Sequence, residues 1–165
     1  MGTMIKDRAY DEIVYIDETT FHLWMKLSKC WLFPGMKLPM IKERGPSITV
    51  IGAISHERGL IHSEVFKENN TKELFLNFMI GLKEKCQGRR VVVVMDNLRI
   101  HHAKVLNDVY DHFFKEMFLP PYSSELNPIE RLWSVLKRKW TQHLYHFTEE
   151  LSSQRKLRNV TKKTV

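Results

Sequence analysis

Apolar residues recur along this chain with two different periods, and each change of period marks a new element. Ile13 to Asp17 is a short apolar run closed by a carboxylate and reads as a buried strand. From Thr20 to Leu27, Phe21, Leu23 and Met25 alternate with His22, Trp24 and Lys26, which predicts a second strand. Cys30 to Pro39 is broken by Pro34, Gly35 and Pro39 and is expected to be loop. Ser47 to Ser55 and Leu60 to Lys67 flank a turn containing Arg58 and Gly59, the pattern of an antiparallel hairpin. The period then lengthens. Asn70 is placed to cap a helix, with Glu73 three residues on, and Leu74, Phe75, Phe78, Met79, Leu82 and Cys86 share one face of it. Gly88 ends that helix before the strand Val91 to Met95. A second helix, from about His102 to Phe113, is expected to bury Val105, Leu106, Val109, Tyr110 and Phe113. A short strand, Glu116 to Leu119, then leads into Pro120 and Pro121.

The stretch YSSELNPIERLW, Tyr122 to Trp133, opens the last helix. Asn127 is a good N-cap, and Pro128 suits the first helical position, where a missing N–H costs nothing. Ile129, Leu132, Trp133, Leu136 and Trp140 follow at helical spacing. Glu130 falls at the third helical position, where a carboxylate ordinarily closes a capping box with the N-cap residue. Two other carboxylates give it a second reading. Asp17 and Asp96 each close an apolar strand, a place where Asp commonly just begins a turn. Two strand-end aspartates and a helix-start glutamate together are what a hard divalent cation requires, several carboxylate oxygens held by rigid elements.

The element order is mixed α/β: early strands, a helix, then strand, helix, strand, helix. A single mixed sheet with helices against its faces satisfies it, and in such a sheet strand ends and a helix start converge at one edge.

VYIDET, VVVVMDNLRIHH and LPPYSSELNPIERLWSVLK, in this order and spacing, resemble the three catalytic blocks of mariner-like transposases of the DDE superfamily. The resemblance covers roughly residues 12 to 140. It implies a ribonuclease H-like fold, with a mixed sheet of about five strands, the first three antiparallel, flanked by helices. It places the family's catalytic and metal-binding triad on Asp17, Asp96 and Glu130. Two Mg²⁺ ions, with Mn²⁺ as substitute, are implied, with Asp17 bridging them and Asp96 and Glu130 as the second and third ligands. Asn97 and His101, just past Asp96, are accessory candidates for orienting water or phosphate. Glu18 should point to the opposite strand face from Asp17 and is read as structural, as is His102. Trp31 and Gly35 match a Trp-Gly element of the family. Two departures stand out: Ser124 and Glu125 replace the usual Pro-Asp after Ser123, and the Asp96 to Glu130 interval is about one residue short.

The implied activity is Mg²⁺-dependent DNA strand cleavage and strand transfer at transposon ends, by a domain spanning 12–148, with 1–11 as an extension and 149–165 as a basic tail. Double-stranded DNA is the implied partner, a homo-oligomer the implied active form, and the nucleus or, in a bacterium, the nucleoid and cytoplasm the implied location. The family's helix-turn-helix modules have no counterpart ahead of Asp17, so the chain is read as a fragment or a domesticated remnant. Two other classes are open: a catalytically silent DNA-binding or assembly module, and a dehalogenase-type phosphohydrolase. The second needs an Asp two residues after Asp17, where Thr19 stands.

Charge sharpens the nucleic-acid reading. The net charge is +7, yet residues 1–130 carry 17 basic and 17 acidic side chains, so the excess lies wholly after Glu130. A basic helix beginning at a candidate metal ligand puts cations where a phosphate backbone approaches. Arg131, Lys137 and Arg138 are therefore the DNA-contact candidates, with Ser134, Lys137 and Thr141 expected as a polar stripe in line with Glu130. Composition adds exclusions. The longest apolar run is Val91 to Met95, so no membrane span is expected. Cys30 and Cys86 form no C-x-x-C motif, and their spacing with the histidines matches no zinc pattern.

Overall fold

A computed structural model describes residues 10–22, 47–67 and 71–144. Five strands, β1 (Glu12–His22), β2 (Ser47–Ser55), β3 (Gly59–Phe66), β4 (Val91–Met95) and β5 (Phe114–Phe118), form one sheet in the order β3-β2-β1-β4-β5. Three α-helices accompany it: α1 (Lys72–Lys85), α2 (Asn107–Phe113) and α3, which is helical over 129–144. The chain divides into two compact units. One comprises Met1–Thr20 and Ile48–Trp133, the other Phe21–Ser47 and Ser134–Val165.

The first unit holds the sheet. β4 is buried at all five residues, as expected of a parallel strand covered on both faces. It pairs in parallel with β1, from Glu12↔Val91 to Tyr15↔Val94, and with β5, from Val91↔Phe114 to Met95↔Phe118. β2 and β3 form the expected antiparallel hairpin, whose turn uses Gly59 at φ +68°. On one face, Val14, Ile16, Ile51, Ala53, Val91, Val93 and Met95 pack against Phe75, Phe78, Met79 and Leu82 of α1 and Val109 and Tyr110 of α2. On the other, Val92, Val94 and Leu119 cluster with Tyr10, Ile13, Tyr15 and Met117.

Four expectations are corrected. Asp17 does not end its strand, because β1 runs on to His22. β1 leaves β4 after Tyr15 but stays in the sheet beside β2, so the strand expected from Thr20 is a continuation of β1; residues 23–27 lie outside the described residues. α1 is capped by Thr71, whose Oγ1 accepts the Leu74 N–H at 3.3 Å; Asn70 itself lies outside the described residues. The helix expected from His102 is two 3-10 turns, Arg99–His102 and Lys104–Leu106, followed by α2, because Ala103 adopts extended backbone between the turns. Val105 and Phe113 are consequently exposed, and the Phe113 ring carries Lys83 Nζ 3.4 Å from its centroid, a cation–π contact.

At the N-terminal end of β1, the buried Glu12 carboxylate takes Arg58 Nε and Nη2 at 2.8 and 2.6 Å. Arg58 Nη1 also donates to the Lys85 carbonyl at 3.0 Å, so one guanidinium ties the hairpin turn to β1 and to the end of α1.

In the second unit, Phe21 meets Trp140 edge-on at 5.7 Å, and the Trp140 indole donates to the His22 carbonyl at 3.2 Å. The expected polar stripe is corrected here. Thr141 is buried and its hydroxyl donates to the Lys137 carbonyl at 2.8 Å, Lys137 is half-buried, and Leu136 is exposed. A threonine can return its hydroxyl to the preceding turn and so sit in an apolar face. The Cys30–Pro39 loop with Trp31 and Gly35, and the tail 149–165, lie outside the described residues. Among those described, no helix is long and apolar enough to cross a membrane.

Candidate active site

The parallel register places the two aspartates. The pairing of β1 with β4 ends at Tyr15↔Val94, and Asp17 and Asp96 each follow two residues later, at the C-terminal end of β4 where α/β sheets present ligands. The helix start then arrives through Asn127. This residue is buried; its Oδ1 accepts the Ile129 N–H at 3.4 Å, while its Nδ2 donates to the Ile16 carbonyl at 3.1 Å. The N-cap thus fastens the first turn of α3 to the peptide just before Asp17. Asn127's own N–H donates to the Ser124 carbonyl at 2.9 Å. The capping-box role for Glu130 is therefore already filled by backbone, and its exposed carboxylate is free to face a cleft.

That cleft, of about 500 Å³, is lined by Asp17, Asp96 and Glu130, with Asn97, Leu98 and the segment from Leu119 to Ser124. Asp17 is the most perturbed of the three. Burial pushes its carboxyl up to about 7, and the charges of Glu18 and Glu130 add to the rise. The Glu18 backbone N–H and the Trp133 indole oppose it, the indole donating to Oδ2 at 2.8 Å. Trp133 reaches this position because Gly52 on β2 has no side chain: a Cβ there would lie 2.6 Å from Cη2 of the indole. Trp133 was read from sequence as core alone. An indole has one polar atom that needs a partner when buried, and a carboxylate nearby supplies it.

Asp96 is held differently. His101, fully buried and 4.5 Å from the Phe75 ring, places Nδ1 3.1 Å from Asp96 Oδ1 and Nε2 3.0 Å from Glu18 Oε1. Burial works against charge on this imidazole, but hydrogen bonds to Asp96 and Glu18 outweigh it and raise it to about 10. Glu18, Asp96 and His101 bring their ligand-type atoms within 4.8 Å of one another and are linked as an ion-pair network beside the cleft. Glu18 does lie on the opposite face of β1 from Asp17, as expected, and its role there is to fix His101. Tyr110 donates to the His101 carbonyl at 3.1 Å and steadies the same loop. Asn97 also lines the cleft, with its Oδ1 bonded to His102 Nε2. Of the basic candidates, Arg131 in the first unit and Arg138 in the second are exposed.

The donor set fits a hard divalent cation. It consists of carboxylate oxygens on β1, just past the end of β4 and at a helix start, and the like charges of Glu18 and Glu130 around Asp17 are ones a cation would offset. Tyr122, on the cleft's rim, was not singled out by sequence. Its φ of +60° makes it the one non-glycine in left-handed backbone among the described residues. That conformation costs an L-residue about 1–2 kcal/mol.

Comparison with known proteins identifies the family and the fold. The family model described as DDE superfamily endonuclease matches residues 12–152. An insertion element IS630 uncharacterized 39 kDa protein of Shigella sonnei is 24% identical over 132 residues, which is 78% of this chain and 38% of that protein. The chain therefore spans well under half of that relative's length. The fold is shared with the Mos1 strand transfer complex (TM-score 0.63, 22% identity, 78% of this chain and 41% of that one). It is shared too with the Mos1 mariner paired-end complex with Mg (0.65, 19%, 85% and 47%) and with the catalytic domain of Mos1 mariner transposase (0.59, 16%, 85% and 69%).

Proposed function

The chain belongs to the DDE superfamily of endonucleases, and we propose that it is the catalytic part of a transposase that cuts DNA and transfers strands at transposon ends. The observation that carries this reading is one cleft lined by Asp17, Asp96 and Glu130, with Asp17 driven to about 7. In this reading Asp17, Asp96 and Glu130 would hold Mg²⁺, or Mn²⁺ in its place. Bound there, a pair of divalent ions supplies an activated water or 3′-hydroxyl and neutralises charge at the leaving oxygen. The protein's own part is positioning. Trp133 orients Asp17, Asn127 fixes the height of Glu130 against β1, and His101 holds Asp96.

Arg131, Lys137 and Arg138 are assigned to the phosphate backbone, since net charge after Glu130 is strongly positive. By likeness to the paired-end complexes of Mos1, the active form is taken to be an oligomer on double-stranded DNA. The setting that follows is a nucleus or, in a bacterium, the nucleoid and cytoplasm. The likeness of Mos1 structures with Mg and with Mn supports the choice of cations.

The test is nicking of supercoiled plasmid in Mg²⁺ or Mn²⁺. Glu130→Gln keeps the helix start, which the backbone closes unaided, and removes one charged ligand. Nicking should fall by at least about a hundredfold with the melting temperature unchanged; wild-type nicking by this variant would remove Glu130 from the site.

A further inference from the structure

The rim of the cleft carries a feature that metal binding leaves unexplained. Tyr122 stands fully exposed, at 102% of its reference area, in left-handed backbone that a bulky residue rarely adopts. A turn that needs such a φ is ordinarily filled by glycine or asparagine. Here a tyrosine occupies it, and its ring buries nothing against the described residues. The turn itself is firmly placed. Pro120 and Pro121 precede it, the Ser123 hydroxyl donates to the Pro121 carbonyl at 3.3 Å, and Asn127 anchors the following segment to β1. Tyr122 lines the same cleft as Asp17, Asp96 and Glu130, and Leu98, also on that rim, is exposed at 46%. The cleft therefore combines three carboxylates with an exposed tyrosine and an exposed leucine among its lining. That combination suits a nucleotide, with phosphate toward the carboxylates through cations and a base against the ring.

We propose that Tyr122 is a stacking platform for a nucleobase flanking the scissile phosphate, and that the strand bound in the cleft is unpaired at that base. A paired base shows its π-face only to its neighbours in the helix, so a ring on the rim reaches one only where the duplex is opened. Stacking of this kind is tolerant of base identity, because every base has a π-face. The proposal rests on the nuclease reading above. It assigns Tyr122 to substrate positioning, with no part in metal binding or bond making.

The test uses the whole 165-residue chain and a duplex with a short single-stranded 3′ overhang, scanned with 2-aminopurine along the overhang, in Ca²⁺. Wild type and Tyr122→Phe should quench 2-aminopurine at one position, and Tyr122→Ala and Tyr122→Gly should not. Affinity should fall roughly tenfold in the two truncated variants, and an abasic site at the quenched position should remove that difference. Tyr122→Gly also relieves the backbone, so its melting temperature should match or exceed wild type, which separates loss of the ring from loss of the fold. Quenching by Tyr122→Ala equal to wild type, with DNA still bound, would overturn the stacking role and leave the nuclease reading intact. Loss of quenching in Tyr122→Phe as well would also overturn it, assigning the contact to the hydroxyl. Absence of DNA binding by wild type would overturn both.

Discussion

Asp17 concentrates the chemistry of the site at the scale of one residue. Its carboxyl is raised to about 7 by burial and by the neighbouring charges of Glu18 and Glu130, with Trp133 as its compensating donor. Above that pH the metal-free protein holds an ionised group where ionisation is unfavourable. Asp17→Asn keeps an acceptor for the indole and removes the charge. It should therefore stabilise the protein in EDTA at pH 8, by on the order of 1–3 kcal/mol, while abolishing any stabilisation by Mn²⁺. Thermal melts with and without Mn²⁺ read both effects. A less stable Asp17→Asn, or one that Mn²⁺ still stabilises, would contradict this role.

At the scale of elements, what matters is how β1, β2 and α3 are fixed to one another around Asp17. Gly52 leaves the space that Trp133 fills, with Ile129 Cδ1 also 3.3 Å from where a Cβ would stand. Gly52→Ala should cost about 1–3 kcal/mol by overpacking and displace the indole, seen as a change in tryptophan fluorescence that Gly59→Ala does not produce. The other end of β1 is held by Glu12 and Arg58. Burial raises the Glu12 carboxyl, but the Arg58 hydrogen bonds prevail and its net shift is downward. A carboxyl depressed in the folded state adds stability above its ordinary range and loses it as pH falls through the folded value. Wild type should thus lose stability on acidification below about pH 4.3, and Glu12→Gln should flatten that part of the curve. An unchanged slope would show that the pair contributes nothing through charge.

For the molecule as a whole, the periodicity was enough to read the hairpin, the apolar face of α1 and the buried β4, because each has a single environment along its length. It misplaced the end of β1, since polar Glu18, Thr19 and Thr20 continue the strand beyond its pairing with β4, which ends at Tyr15. It also missed the extended Ala103, which splits the expected helix. Within the site, spacing and block order single out three carboxylates, and these line one cleft. The residues that hold them were not legible, because Trp133, Asn127 and Glu18 act across 116, 111 and 83 positions of sequence. Such partners are fixed by sheet register and helix placement, which no local pattern encodes. The central claim is that Asp17, Asp96 and Glu130 are one cation site. Calorimetric titration with Mn²⁺ tests it most directly. Wild type should bind in the millimolar range or tighter, and Asp96→Asn, folded by its melt, should bind at least tenfold more weakly. No heat of binding to folded wild type, or equal binding by Asp96→Asn, would contradict the account.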